Sequence, residues 1–337
     1  MFRPARFRPA RFRTVTVMFL ALLLDWLLGE PPGRCHPVVG MGRFLDRGQS
    51  LAPARSRARF LFGGGWTALG LALSAGVGSG LARAVRIVGR ERAGRVERGG
   101  QALGILAEAW LLSTLFSVRG LFRAGEEVAQ ALEQGRLDQA RERLAWHLVS
   151  RETAQLSEEE VGQAVLESVA ENLTDSLLAP LLAYRLGGLG AAAAYRFVNT
   201  GDAMWGYRDP AREWLGKPVA RLDDLLNWLP ARLMGGIICL AAALHPGASG
   251  RRAWRTMRRQ HGRTASPNSG WTMAATAGAL GVTLAKPGVY ALEGGSAPVD
   301  VRCLGRGLGL LRLATLLAAV LAVVGAGVVG RGVERRG

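Results

Sequence analysis

Three groups of hard oxygen donors stand out in this 337-residue chain. The first is Glu167-Ser168-Val169-Ala170-Glu171-Asn172-Leu173-Thr174-Asp175. Written as a helix, it places Glu167, Glu171 and Asp175 at i, i+4 and i+8, on one stripe. Ser168 and Asn172 form a polar row beside it. Like charges at this spacing repel, so a helix gains nothing from them. The stripe also lies between apolar runs, where uncompensated charge is costly. A Mg²⁺ ion held by Glu167, Glu171 and Asp175 together with a phosphate removes both problems. The plain alternative is an amphipathic helix with a solvated acidic face.

The second group is Asn199 with Asp202, at i and i+3, and the third is Asp223 and Asp224 with Asn227. Arg185, Arg196, Arg208, Arg221 and Arg232 lie near them in sequence and suit a clamp on anionic oxygens. His36 precedes a proline, which holds it extended; that suits a side chain aimed at a ligand and equally an ordinary loop residue. Several other chemistries lack their residues. Gly216-Lys217 is followed by Pro218, so it is no phosphate-cradling P-loop. Four histidines without HExxH spacing and three cysteines without a CxxC pair give neither a zinc site nor a disulfide framework.

The elements that must position these groups read as helices in a membrane. Hydrophobic residues make up 49% of the chain and mean hydropathy is positive. Residues 61–82 run for 22 residues without a charge, long enough to span a bilayer of about 30 Å. Residues 100–118, interrupted only by Glu108, 177–198, 233–250 and 313–330 are further apolar stretches, and 14–24 is a shorter one. About five to six apolar helices are expected. Glu108 is a functional candidate by its membrane depth, or a carboxylate paired with an arginine. The Gly188–Ala193 run follows no strand, so it reads as small-residue helix packing rather than a dinucleotide loop.

Residues 119–165 are different: two amphipathic helices broken at Gly135, then a capping box of Ser157 and Glu160 leading into the acidic stripe. Strand signals are weak throughout. The expected fold is all-α, a multi-pass helical integral membrane protein forming one domain over 1–337 with a water-facing helical insertion at about 119–165. The loop of residues 29–40, with three prolines and three glycines, is expected to be irregular.

The net charge is +17, yet only Lys217 and Lys286 of the 43 basic residues are lysine. The arginines are scattered between apolar segments, which reads as interfacial anchoring and not as a nucleic-acid surface. Two function classes fit. One is a membrane-embedded Mg²⁺-dependent enzyme acting on phosphates or carboxylates. The other is a transporter with an intramembrane path of acids and arginines. No internal repeat is evident, and three acid–amide clusters at helix borders favour the enzyme.

The same residues resemble the CobD/CbiB family. The resemblance is carried by Asp25, Gly29-Glu30-Pro31, His36-Pro37-Val38 and Gly40; by Glu167-Ser168-Val169-Ala170-Glu171-Asn172, Asp175 and Ala179-Pro180; and by Asn199-Thr200, Asp202 and Gly206-Tyr207. Ala220-Arg221, Asp223-Asp224, Asn227, Pro230-Ala231-Arg232 and Ser266-Pro267-Asn268-Ser269-Gly270 continue it in the family's order, from about residue 20 to 290. Gly29-Glu30-Pro31 stands where Gly-Asp-Pro is more usual. The resemblance implies a multi-pass protein of the cell (inner) membrane with its motif loops on the cytoplasmic side. It implies adenosylcobinamide-phosphate synthase activity: an amide joining adenosylcobyric acid, a corrinoid, to (R)-1-amino-2-propanol phosphate or free aminopropanol. A carboxylate must be activated for this, most simply by phosphorylation from ATP as co-substrate, with Mg²⁺ on the Glu167, Glu171 and Asp175 stripe. Other membrane enzymes of cobalamin synthesis are implied partners. His36, Glu167, Glu171 and Asp175 are the expected catalytic residues. Asn172, Asn199, Asp202, Arg221, Asp223, Asp224, Asn227, Arg232 and Asn268 are expected to bind substrate.

Overall fold

A computed structural model describes residues 9–31, 33, 36–91 and 97–328. Pro32 and Cys35 of the proline-rich loop, Arg92 and Arg95 of the arginine-rich segment, and the tail 329–337 lie outside them. The helices run in the order α1 Pro9–Leu28, α2 Pro37–Leu51, α3 Ser56–Glu91, α4 Glu97–Ser113, α5 Val118–Glu133, α6 Leu137–His147, α7 Glu158–Leu173 and α8 Ala179–Trp205. After them come α9 Glu213–Leu226, α10 Trp228–Leu244, α11 Gly250–Gln260 and α12 Ser269–Leu280. A short antiparallel hairpin follows, β1 Thr283–Lys286 and β2 Tyr290–Glu293, and then α13 Val301–Val328.

The protein is an all-α, multi-pass membrane protein. Three helical runs among the described residues are long and apolar enough to cross a bilayer: Ser56–Gly89, Glu158–Trp205 and Val301–Gly325. The number rises to five if each of two bent pairs, Gly100–Ser113 with Val118–Glu133 and Glu213–Leu226 with Trp228–Leu244, makes one crossing. One side of α3 points large apolar side chains outward, with Leu61 73% and Val77 61% exposed. Such a contiguous apolar surface is stable against lipid and not against water.

The chain divides into two compact units. The first comprises residues 1–117, 180–223 and 319–337. Its core gathers Leu45, Phe197, Val198, Trp205, Leu215 and Val219, with Phe44 stacked on Trp66 at 4.7 Å. Gly78 of α3 and Gly190 of α8 approach each other's backbones so closely that a Cβ at either would collide, the small-residue packing expected of the Gly188–Ala193 run. Gly188 itself has φ 66°, and with Gly187 it breaks the helical geometry of α8; only glycine adopts this conformation without strain.

The second unit comprises residues 118–179 and 224–318. It holds the polar segment 119–165. Here α5 buries Leu121, Phe122, Val128 and Leu132 on one side. The capping box at the start of α7 forms as the sequence indicates: Ser157 Oγ accepts from Glu160 N–H at 3.3 Å, and Glu160 Oε2 accepts from Ser157 N–H at 2.8 Å.

Two local expectations are corrected. Regular structure begins at Pro37, well inside the 29–40 stretch, because proline is tolerated at the first helical position and its fixed φ suits that place. The hairpin is the other departure. Its strands are four residues each, too short for an alternating pattern to register in the sequence.

Candidate active site

The acidic stripe is helical, but its three carboxylates occupy different environments. Glu167 is buried, Glu171 is exposed and Asp175 is half-buried. A π-turn over Thr174–Leu178, in which Ala179 N–H donates to Thr174 C=O, widens the helix. The i+4 periodicity therefore holds from Glu167 to Glu171 and lapses at Asp175. Among the described residues no three His, Cys, Asp or Glu side chains stand together as a metal cage. Asn172 turns back onto its own helix, donating to Ser168 C=O at 2.8 Å.

Glu167 faces cations instead. Arg151 Nη2 lies 3.5 Å from its Oε2. The charge of Lys286 also acts on it, and the Tyr290 phenol stands beside it. Tyr290 OH lies 3.9 Å from Met273 Sδ and also hydrogen-bonds the Glu167 carboxylate, whose Oε1 stays buried without a donor. Burial, then the negative charges of Glu167 and Glu171, push the Tyr290 hydroxyl well above the usual phenol range. It is a neutral donor at every physiological pH.

A second cluster in the same unit collects three separate motifs. Asn268, the N-cap residue of α12, donates from Nδ2 to Asp224 C=O at 2.8 Å, and Ser266 Oγ donates to Asp224 Oδ1 at 3.4 Å. Arg232 donates from Nη1 to Trp228 C=O at 2.6 Å and to Asn268 Oδ1 at 3.4 Å. Its guanidinium lies 4.2 Å from the Trp228 ring centre and 4.8 Å from that of Trp271. Two indoles so placed hold the planar cation in a fixed orientation. His261 meets Trp271 edge-on at 4.0 Å, and burial beside Arg232 holds its imidazole below the ordinary value. Gln260 and Arg263 pin the hairpin strand β2 to the end of α11: Glu293 N–H donates to Gln260 Oε1 at 2.7 Å, and Arg263 donates to Ala291 C=O at 3.1 Å. Asn227, at the break between α9 and α10, is buried.

The first unit carries His36, Asn199, Asp202, Arg221 and Asp223. His36 is extended, with φ −78° and ψ 123°, and caps α2: its Nδ1 accepts from Val38 N–H at 3.2 Å. An accepting Nδ1 leaves the proton of the neutral ring on Nε2. That Nε2 is buried, 3.8 Å from Glu30 Oε2, and Glu30 in turn accepts from the Ser117 hydroxyl. Burial holds His36 below its usual 6.5; Glu30 opposes this and Arg196 adds to it. The ring is thus neutral at pH 7 and arranged as a donor, not as a base. Asn199 Oδ1 accepts from Arg196 at 3.2 Å. Asp202 lies half-buried in the last turn of α8, Asp223 is buried in α9 and Arg221 is exposed.

Two further features of this unit stay outside the polar site. A cavity of about 480 Å³ runs from Pro37 and Phe44 past Val77 to Phe197. It is lined by apolar and small side chains with no titratable group, so it offers no chemistry. Glu108 is closed: Arg13 reaches Oε2 at 2.6 Å, Tyr184 OH donates to Oε1 at 2.9 Å, and Arg86 lies 4.0 Å away. It leaves no acceptor for a substrate path.

The sequence did not single out Arg151, Lys286, Tyr290, His261 or the indoles of Trp228 and Trp271. One signal was present. In a chain whose basic residues are arginine almost throughout, a lysine at 286 is conspicuous.

A family profile described as "CobD/Cbib protein" matches residues 18–303. Among its relatives, the chain is 37% identical over 314 residues to "Probable cobalamin biosynthesis protein CobD" of Methanothermobacter thermautotrophicus, covering 93% of this chain and 97% of that one. It is 37% identical over 316 residues to "Cobalamin biosynthesis protein CobD" of Yersinia enterocolitica, with 91% and 96% covered. It is 36% identical over 281 residues to "Cobalamin biosynthesis protein CbiB" of Salmonella arizonae, with 82% and 84% covered. No solved structure matches.

Proposed function

The chain belongs to the CobD/CbiB family of cobalamin biosynthesis proteins, and from that premise we propose that it forms the amide between adenosylcobyric acid and (R)-1-amino-2-propanol phosphate or aminopropanol. Supporting this reading is the gathering of Asp224, Arg232 and Asn268 into one hydrogen-bonded cluster, although Asp224 and Asn268 are 44 residues apart. A guanidinium held against two indole rings, with a fork of donors, suits a substrate carboxylate or phosphate.

A carboxylate does not condense with an amine unaided. In the proposed reaction a corrinoid carboxylate oxygen attacks the terminal phosphorus of ATP, and ADP leaves. The amine nitrogen then attacks the acyl carbon, inorganic phosphate leaves, and the ammonium proton passes to a base. Glu167, with an open buried oxygen, is a better base than His36, whose Nε2 already carries the proton. His36 fits a donor to an anionic substrate oxygen. Mg²⁺ keeps several waters and is commonly held by one or two carboxylates plus substrate phosphates. Exposed Glu171 and half-buried Asp175 are the residues that would hold it; when bound, it neutralises phosphoryl oxygens. Asn172 and Asn227 are the further proposed substrate contacts of the second unit; Asn199, Asp202, Arg221 and Asp223, proposed for the same role on the family resemblance, belong to the first unit. The proposed setting is the cell (inner) membrane with motif loops cytoplasmic, where ATP and the corrinoid are found. Other membrane enzymes of the pathway are the proposed partners.

The test is turnover by the detergent-purified chain with adenosylcobyric acid, aminopropanol phosphate, ATP and Mg²⁺, each omitted in turn. Amide formation that requires all four supports the reading. No amide with the complete mixture, from a protein that remains folded, overturns it.

A further inference from the structure

Helices α10, α11 and α12 of the second unit pack together, and α11 runs back along α10. A Cβ on Gly250 would meet Ala243 and the Cys239 carbonyl, and one on Gly235 would meet Met257 Sδ. The two helices are therefore antiparallel neighbours along residues 235–243 of α10. Arg252 ties α11 to α12, donating from Nε to Gly278 C=O at 2.6 Å and from Nη2 to Ala279 C=O at 3.2 Å. The other arginines of α11, Arg251, Arg255, Arg258 and Arg259, are exposed. Among the described residues none of them pairs with a carboxylate, and α11 itself carries no acid. On α10, Leu229, Leu233, Leu240 and Leu244 are exposed along one stripe of the helical repeat. Trp254, half exposed, comes four residues after Gly250 and three before Met257, both of which face α10. It thus stands at the edge of α11 nearest α10. The Arg258 guanidinium lies 6.0 Å from its ring centre.

Exposed leucines ask for lipid, whereas unpaired arginines are costly in its interior. Were α10 a membrane crossing, the α11 arginines would lie along its length at bilayer depth. The three helices also meet α13 at its polar end: a Cβ on Gly307 would meet Leu280, and one on Gly309 would meet His245. The uncharged stretch of α13 begins only after Arg312. We infer that α10 does not cross the bilayer, and that α10 and α11 together lie on its surface and bind anionic phospholipid. The leucine stripe enters the acyl boundary, Trp254 sits at headgroup level, and the four guanidiniums pair with lipid phosphates. Leucines, an indole and a row of basic residues in this order make an interfacial surface. A cluster of roughly four or more arginines at a membrane surface favours anionic lipid over neutral lipid. The inference is independent of the proposed reaction.

The test attaches a nitroxide to the full chain at Leu229→Cys, Leu233→Cys, Leu240→Cys, Leu244→Cys or Arg255→Cys, one at a time, with the labelled parent as blank. The chains are reconstituted in phosphatidylcholine vesicles with and without phosphatidylglycerol. Collisions with oxygen and with a water-soluble nickel chelate report the depth of each label. With phosphatidylglycerol, the four leucine positions are expected at one shallow depth, about 5–10 Å below the headgroups, and Arg255→Cys stays open to nickel. Depths that change along α10 by about 1.5 Å per residue, with Arg255→Cys shielded from nickel, show a crossing helix and overturn the inference. All five labels open to nickel in both lipids assign the surface to water or to a protein partner and also overturn it. The charge is tested by replacing Arg251, Arg255, Arg258 and Arg259 together with glutamine in the Leu240→Cys chain. Its label is then expected to stand no deeper with phosphatidylglycerol than without. If the unsubstituted chain already holds this label equally deep in both lipids, or the glutamine chain keeps its dependence on phosphatidylglycerol, the anionic partner is overturned. Should the glutamine chain lose its fold, the single reversals Arg251→Glu and Arg258→Glu, measured the same way, decide the matter.

Discussion

Glu108 and Glu167 are two buried acids with nearly the same neighbours, and the difference between them separates structure from function. Each sits in an apolar helix, each meets an arginine, and each stands beside a tyrosine. At Glu108 every oxygen is used: Arg13 at 2.6 Å and 3.2 Å on Oε2, Tyr184 at 2.9 Å on Oε1. At Glu167 the arginine stands off at 3.5 Å, the tyrosine hydroxyl is shared with Met273, and one oxygen stays open. A closed buried carboxylate is a strut. An open one keeps part of its desolvation cost until a ligand arrives.

The comparison breaks most directly on stability. Glu108→Gln leaves Arg13 without its counter-charge and is expected to cost about 3–5 kcal/mol, the usual penalty for breaking a buried pair. Glu167→Gln removes a charge whose own pairing is loose, and its cost is expected to stay within about 1 kcal/mol. Thermal unfolding of both variants in one detergent measures this. Equal losses would remove the distinction.

Activity is expected to run the other way. Glu171→Gln keeps size and helix propensity and relieves repulsion within the stripe. Folding should survive, while amide formation at saturating Mg²⁺ should fall by about 100-fold, as when one preorganised electrostatic partner is lost. Turnover within threefold of the parent would return Glu171 to a solvated surface.

What the sequence made legible follows the same division. The apolar spans, the capping box, the π-less part of the stripe and the packing glycines are local patterns, and each can be read from spacing. The division into two units is not local, since each unit is assembled from segments far apart in sequence. Nor is the environment of an acid: spacing put Glu167, Glu171 and Asp175 in one row, but Arg151, Lys286 and Tyr290 decide what Glu167 meets. The motif residues Asp224, Arg232 and Asn268 were all named from sequence, while the indoles that orient Arg232 were not, because stacking depends on tertiary approach alone.

The paired tyrosines sharpen the contrast with a smaller effect. Tyr184→Phe removes a buried hydrogen bond to a charged group and is expected to cost about 1.5–3 kcal/mol of stability. Tyr290→Phe loses a weak contact to sulfur and a looser interaction with Glu167, and should cost no more than about 1 kcal/mol. A stability loss at Tyr290 as large as that at Tyr184 would mean that its hydroxyl holds Glu167 as firmly as Tyr184 holds Glu108 and that the open oxygen is in fact closed.

His36 offers the finest version of the test, because one ring is closed at Nδ1 and open at Nε2. Its Nδ1 caps α2 only while unprotonated. Burial holds its folded-state value below the ordinary 6.5, so between those two values the unfolded chain binds the proton more readily than the folded one. Stability must then rise with pH across that window. The contribution is fully present above pH 6.5 and is lost as pH falls through the folded value. The loss is expected to be about 1 kcal/mol, the worth of an N-cap. His261 is held low by burial as well and adds a slope of the same sign, so the variant to compare is His36→Asn, which caps a helix well and does not titrate. Unfolding between pH 5 and pH 8 should show a shallower acid loss in His36→Asn than in the parent, with similar stability at pH 8. If the two curves run parallel, Nδ1 is not the cap, the tautomer is open, and His36 returns as a candidate base.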